Sequence, residues 1–180
     1  METNTKTKTR IALTNREDYT KGVLNFKWLE LPADEAEIQK AFKEINVVPG
    51  KNEFFISDYE TILHLDKLYL DITSYNDLIA FNEDIKNIED LDKWDFEILC
   101  SVLEAMGSNC LEDTIEEVEC GNYTLIDAYD DKELGEYVIE NGLFGVEIPA
   151  ALENYIDFEA IGRDWAFDGC YTDNGFLLYA

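Results

Sequence analysis

The apolar positions follow a strand period near the N-terminus, a helical period through the middle and a mixture of the two beyond residue 108. Residues 10–14 and 23–31 read as strands, the second with partial alternation that puts Leu24, Phe26 and Trp28 on one face. Pro32 and Asp34 then open a helix whose apolar positions Ile38, Ala41, Phe42 and Ile45 have helical spacing, and Pro49-Gly50 ends it. Residues 53–59 read as a third strand, which makes residues 1–60 a ββαβ module with a flexible extension over 1–8. Ser74 with Asp77 three positions on predicts a capped helix continuing through Leu78, Ile79, Phe81 and Ile85. Leu91 to Met106 predicts a second helix, with Leu91, Trp94, Ile98, Val102 and Ala105 or Met106 as its apolar stripe and Gly107 at its end. Residues 61–107 thus form a helical middle module.

From 108 to 180 the types mix. Leu111–Glu119 and Asp130–Asn141 predict acidic helices, the latter closed by Gly142, with a short strand at Tyr123–Ile126 between them. Pro149 opens a further helix. A hairpin follows: Phe167–Thr172, a turn at Asp173-Asn174-Gly175, then Phe176–Tyr179. The expected fold class is α+β, an elongated chain of three small modules (1–60, 61–107, 108–180). No internal repeat or long linker is visible.

Charge changes this picture more than composition does. Of 180 residues 46% are hydrophobic and 13% aromatic, enough to build a core. The 40 acids against 14 bases leave a net charge of −26, where a small domain ordinarily carries a magnitude of about 2–8. Residues 1–27 are net +3, so the remainder carries −29, and Trp94 to Gly162 holds 18 acids with Lys132 as its sole base. Such an excess opposes folding through self-repulsion. It also excludes direct binding to nucleic acid, which needs Lys and Arg on phosphates, and attraction to anionic membranes. No apolar run approaches the ~20 residues of a membrane span, and METNTKTKTRIALTN lacks the apolar segment of a signal peptide. The expected location is the cytoplasm, with Cys100, Cys110, Cys120 and Cys170 reduced.

Enzyme chemistry finds little support. His64 is the only histidine, set between apolar residues, so Ser-His-Asp and Cys-His sites lack a dedicated base, and the even cysteine spacing fits no zinc motif. Neither GxxxxGK[ST] nor GxGxxG occurs. Two carboxylates can run glycoside hydrolysis, but forty acids make any one pair uninformative. Asp127, Asp130 and Asp131 imitate only part of a calcium loop. No metal and no cofactor is expected. What stands out is a largely one-signed field of carboxylates on an apolar framework. Duplex DNA carries one charge per ~1.7 Å, so 26 charges match roughly 44 Å, or about 13 base pairs. A groove built for phosphates accepts suitably placed carboxylates, because phosphate contacts carry no sequence information. A salt-adapted protein or a merely acidic surface would share this composition.

The C-terminal third narrows the choice. Residues Ile148 to Asp164 (IPAALENYIDFEAIGRD) closely resemble the P-x-x-L-x-x-Y-I-D-[YF]-x-A-x-G-R-D block of the ArdA antirestriction proteins. Asp131 to Glu140 is similar to that family's acidic helix, and Phe54 to Glu60 to its strand ending I-x-D-Y-E. Arg10–Thr14 and Gly22-Val23 leading into Trp28-Leu29-Glu30-Leu31-Pro32 fit its start, so the likeness spans about residues 9–180. The resemblance implies a mobile-element protein, not an enzyme. It implies an elongated three-module chain that dimerises, imitates bent DNA and occupies the DNA-binding groove of type I restriction–modification enzymes, so that entering DNA escapes cleavage. An acidic adaptor for another basic defence protein and a carboxylate-based hydrolase are the alternatives.

Within the block, the spacing of Tyr155, Ile156, Phe158 and Ile161 predicts core positions. Arg163 is expected to satisfy local carboxylates, with Asp164 as a candidate partner. The candidate partner-binding residues are the acids Glu112, Asp113, Glu116, Glu117, Glu119, Asp130, Asp131, Glu133, Glu136, Glu140 and Glu147. The apolar hairpin leaves an edge strand to be covered, which with the resemblance predicts a homodimer through the third module. Since salt screens carboxylate repulsion over ~10 Å at 0.1 M, the melting temperature is expected to rise as NaCl is added from low concentration. A flat or falling curve in a thermal-shift series would mean that the charges are compensated locally.

Overall fold

The computed structural model describes residues 8–63, 72–108, 110–143, 145, 148, 149, 152 and 155–179. The fold is α+β and divides into two compact units, one formed by residues up to Asp92 together with Ser108–Glu112, the other by Lys93–Gly107 and the rest. Among the described residues no helix is long and apolar enough to cross a membrane.

The first unit contains β1 (Thr9–Asn15), α1 (Arg16–Thr20), β2 (Phe26–Leu31), α2 (Glu35–Glu44), β3 (Phe54–Glu60) and α3 (Tyr75–Asp90). Its sheet has the order β2-β1-β3, antiparallel throughout. β1 is the centre, and Ile11, Ala12 and Leu13 are buried in it, which is why this strand reads as a nearly continuous apolar run rather than an alternation. Ile38, Ala41 and Phe42 of α2 are also buried, and Phe42 meets Phe54 edge to face at 4.9 Å. Asp34 caps α2 and Ser74 caps α3, each in a full capping box. Buried Asn82 of α3 clasps the backbone of Ala33: it accepts from the Ala33 N–H at 2.7 Å and donates to its carbonyl at 3.1 Å.

Two readings of this unit need correction. The module holds an extra helix, α1, which Asn15 caps by accepting from the Asp18 N–H. The second strand begins at Phe26 rather than 23, because Gly22, at φ +77°, and the hydrogen bond from the Val23 N–H to the Asp18 carbonyl fold residues 21–25 into a turn. The buried face of β2 is Leu29 and Leu31, whereas Leu24 is 69% exposed. Trp28 keeps its outward position under the guanidinium of Arg10, 4.7 Å from the ring centroid.

The second unit contains α4 (Lys93–Ala105), most of α5 (Leu111–Glu119), β4 (Tyr123–Ile126), α6 (Asp131–Glu140), α7 (Phe158–Trp165), a 3₁₀ turn (Ala166–Asp168), β5 (Gly169–Thr172) and β6 (Gly175–Tyr179). The sheet has the order β4-β6-β5. Phe176 joins Ile126, Ala128, Leu134 and Val138 in the core, with Ile161, Trp165 and Tyr137 packed around it. The hairpin turn is tied to α4: Thr172 donates to Ser101 Oγ at 3.0 Å, and Glu104 accepts from the Asp173 N–H at 2.9 Å.

Here too the sequence pattern misleads in places. The helix expected over Leu91–Met106 starts at Lys93, and Trp94 and Met106 lie exposed, 52% and 49%, while Leu99, Ser101 and Leu103 join Ile98 and Val102 as the buried face. The hairpin strand starts at Gly169, since Ala166–Asp168 form the 3₁₀ turn and Phe167 points outward. Tyr155 is 86% exposed rather than core, because α7 begins only at Phe158 and helical spacing does not extend back to it. Ile156, Phe158 and Ile161 are half-buried. The helix expected from Pro149 falls largely outside the described residues, as does His64.

α6 and α7 cross backbone to backbone. A Cβ on Gly162 would sit on the carbonyl of Asp131 and 2.8 Å from the Gly135 N, and one on Gly135 would sit on the Phe158 carbonyl. Both obstacles are main chain and cannot swing aside. Gly162→Ala is therefore expected to destabilise the protein by about 3 kcal/mol or more, read as a shift in the urea midpoint. In the first unit, half-buried Asp84 of α3 is pushed up from 3.8 to about 6 by burial and by the nearby Glu112. Its folded pKa is raised, so the fold favours the protonated form, and stability from this group is present below about 3.8 and lost as pH rises through about 6. Asp84→Asn should raise stability over wild type at pH 7, by under about 1 kcal/mol since solvent screens a half-exposed group. At pH 4 that advantage should shrink to near zero in paired thermal melts.

Candidate functional site

α5 is built by a strict helical pattern. Leu111, Thr114, Ile115 and Val118 are buried at spacings of three and four, and Glu112, Asp113, Glu116, Glu117 and Glu119 take the remaining exposed positions with Cys110 and Cys120 at either end. Glu112 and Glu116, and likewise Asp113 and Glu117, are neighbours on the helix surface at i,i+4, where like charges repel. Burial of the apolar stripe holds these carboxylates together against that repulsion.

α6 presents Asp130, Glu133 and Glu140 exposed, with Asp131 and Glu136 half-buried. Several of these acids also have internal duties. Asp130 is the helix cap, accepting from the Glu133 N–H at 2.8 Å, and Glu133 reaches back to the Tyr129 N–H at 2.8 Å. Asp131 accepts from the Tyr171 hydroxyl at 2.9 Å, Glu117 from the Tyr123 hydroxyl at 2.8 Å, and Glu136 pairs with Lys132 at 3.4 Å. The side chains of Glu112, Asp113, Glu116, Glu119 and Glu140 make no hydrogen bond or ion pair among the described residues. Glu147 lies outside them.

Positive charge is distributed to match. In the first unit several bases meet acids of the same unit: Arg10 with Glu60 at 2.6 Å, Lys27 with Glu44 at 2.7 Å, Lys86 with Glu83 at 3.1 Å and Arg16 with Glu53 at 3.5 Å. The second unit has only Lys93, Lys132 and Arg163. Lys93 lies 3.4 Å from Glu97 in its own helix, and Arg163 stands 3.9 Å from Asp131 and 3.7 Å from Glu159. Arg163 thus turns to those two carboxylates, with Asp164 left at the surface. Among the described residues no cation pairs with an acid of α5.

Burial, with Glu97 and Glu104 nearby, pushes the Cys100 thiol up to about 11, the reverse of what a reactive thiolate requires. The cysteines are free thiols. Among the described residues no three His, Cys, Asp or Glu side chains converge to hold a metal ion, and Asp127, Asp130 and Asp131 do not form such a group.

The sequence located the acids but missed the groups that orient them. Tyr123 and Tyr171 look like ordinary strand aromatics, and only the sheet brings Tyr171 to Asp131, forty residues away. The spacing of Asp130 and Glu133, by contrast, is a legible capping signature.

No curated protein matches the chain. The profile of the family described as Antirestriction protein (ArdA) matches residues 11–177, nearly the whole length and both units. It runs through α5, α6 and the α6–α7 crossing, and the glycine of the G-R-D block is Gly162, the residue on which that crossing depends. The chain belongs to the ArdA family of antirestriction proteins.

Proposed function

We propose that this protein acts without catalysis, as an acidic mimic of DNA in the cytoplasm, and competes for the DNA-binding groove of type I restriction–modification enzymes so that incoming mobile DNA is spared. The observation that carries the reading is α5, five exposed carboxylates with no paired cation among the described residues. Its nine residues rise about 13.5 Å, one carboxylate per about 2.7 Å, against one charge per ~1.7 Å for the two strands of a duplex. A single helix thus approaches the linear charge density of the molecule it would replace. Asp130, Asp131, Glu133, Glu136, Glu140 and Glu147 extend the proposed surface. The basic N-terminal stretch does not oppose this reading, because Arg10, Arg16, Lys21 and Lys27 are each held by a carboxylate of their own unit. The proposal includes a two-fold dimer through residues 108–180, in which two chains would offer about 26 base pairs of charge.

The test is displacement of labelled duplex DNA from a type I methyltransferase over a range of salt. Stoichiometric protein at low salt should displace the DNA, and displacement should weaken as salt rises. Glu116→Gln alone should cost under about 1 kcal/mol, as for exposed charges. The combination of Glu112→Gln, Asp113→Asn, Glu116→Gln and Glu119→Gln should lower affinity cumulatively and flatten the salt dependence. Failure to displace DNA at low salt would refute competition at that target. Displacement abolished by one substitution in a folded protein would point to a discrete site, as in a hydrolase or an adaptor.

A further inference from the structure

A mimic of phosphate charge faces a conflict that DNA does not. Phosphates are fixed by a covalent backbone, but Glu and Asp side chains rotate, and ordering them on binding costs free energy. Pairing each carboxylate with Lys or Arg would fix it and cancel its charge. A neutral donor fixes the carboxylate and leaves the charge in place.

Among the described residues the second unit contains such donors on its sheet. The Tyr123 hydroxyl donates to Glu117 Oε2 at 2.8 Å and the Tyr171 hydroxyl to Asp131 Oδ1 at 2.9 Å. Each ring is pinned across the sheet. Tyr123 is in register with Tyr179, rings edge to face at 6.4 Å, and Tyr171 with Phe176, rings at 5.0 Å. Phe176 is fully buried in the core. Position therefore passes from the sheet to the ring, from the ring to the hydroxyl, and from the hydroxyl to a carboxylate on a helix. No cation pairs with Glu117 among the described residues; Asp131 also faces Arg163 at 3.9 Å, on its other carboxylate oxygen. Burial and the bond to Glu117 push the Tyr123 phenol up to about 12, and burial and the bond to Asp131 push Tyr171 up further, so both remain neutral donors through the physiological range.

We propose that Tyr123 and Tyr171 are positioning residues of the inhibitory surface, holding Glu117 and Asp131 in fixed orientations without neutralising them. This inference rests on the proposed competition with DNA. It separates two properties that a charge count merges, the number of negative charges and their order.

The experiment is the same displacement assay with full-length Tyr123→Phe, Tyr171→Phe, the double variant, and Glu117→Gln, each checked for an unchanged circular dichroism spectrum. Each Tyr→Phe change should weaken displacement by about two- to threefold, no more than removal of an exposed charge does, and the double variant by the product. The slope of log affinity on log salt should stay at the wild-type value in the Tyr variants, since no charge is lost, and should fall by about one in Glu117→Gln. Adding Tyr123→Phe to Glu117→Gln should have no further effect, because the hydroxyl acts only through that carboxylate. Wild-type affinity in both single Tyr variants, or a full loss on top of Glu117→Gln, would overturn the positioning role while leaving competition intact. A wild-type protein that fails to displace DNA would instead overturn the competition reading, and this inference with it.

Discussion

Negative charge without enough positive charge to pair it is the constraint under which the second unit is built. Lys93, Lys132 and Arg163 pair with only a few of its carboxylates, and neutral groups hold others. Backbone N–H groups at helix starts hold Asp130, Glu133 and Asp157, the turn N–H of Asp173 holds Glu104, and tyrosine hydroxyls hold Glu117 and Asp131. These contacts lie where the fold has donors to spare, since the first turn of every helix leaves N–H groups without intrahelical partners. The acids thereby help to terminate helices and close the hairpin while keeping their charge. The first unit, richer in bases, adds ion pairs to its own caps, with Glu60, Glu53, Glu44 and Glu83 each beside a base.

The second determinant is a close approach of main chains. At Gly135 and Gly162 the α6 and α7 backbones meet with no room for a side chain. This brings the N-terminal turn of α6, with Asp130, Asp131 and Glu133, against a helix that contributes the second unit's one arginine, Arg163. The G-R-D run is therefore read twice: its glycine permits the crossing, and its arginine takes up carboxylates that the crossing draws near.

Legibility followed the range of the forces involved. Capping is local, so the helix starts at Asp34 and at Ser74 with Asp77 could be read directly, and both proved to be full capping boxes. The amphipathic pattern of α5 and α6 was also local, and it placed Glu112, Asp113, Glu116, Glu117, Glu119, Asp130, Glu133 and Glu140 at the surface as expected. Contacts across the sheet were not legible. Trp28, on the face opposite buried Leu29 and Leu31, stacks under Arg10 from the neighbouring strand, and the exposure of Tyr155 goes with where α7 starts. Trp94 failed for a related reason. Its periodicity with Ile98 and Val102 is real, but it falls in the first turn of a helix that begins at Lys93, at the end of the buried stripe. Tyr123 and Tyr171 could not be found at all from the pattern, because a strand tyrosine carries no mark of what its hydroxyl will meet.

β6 lies between β4 and β5 yet follows both in the chain, so a ribosome delivers the two edges of this sheet before its centre. β4 emerges with its ladder groups unpaired and waits about fifty residues for the strand that brings Phe176 into the core. An unpaired apolar strand on a nascent chain invites pairing with its neighbours. Here α5 emerges just ahead of β4 and α6 just behind it, both dense in carboxylates. Mutual repulsion between such flanks keeps the waiting edges of neighbouring nascent chains apart, in the manner of charged gatekeepers beside an aggregation-prone segment. The charge that would serve inhibition in the finished molecule thus also guards the polypeptide during the interval when its sheet has no middle.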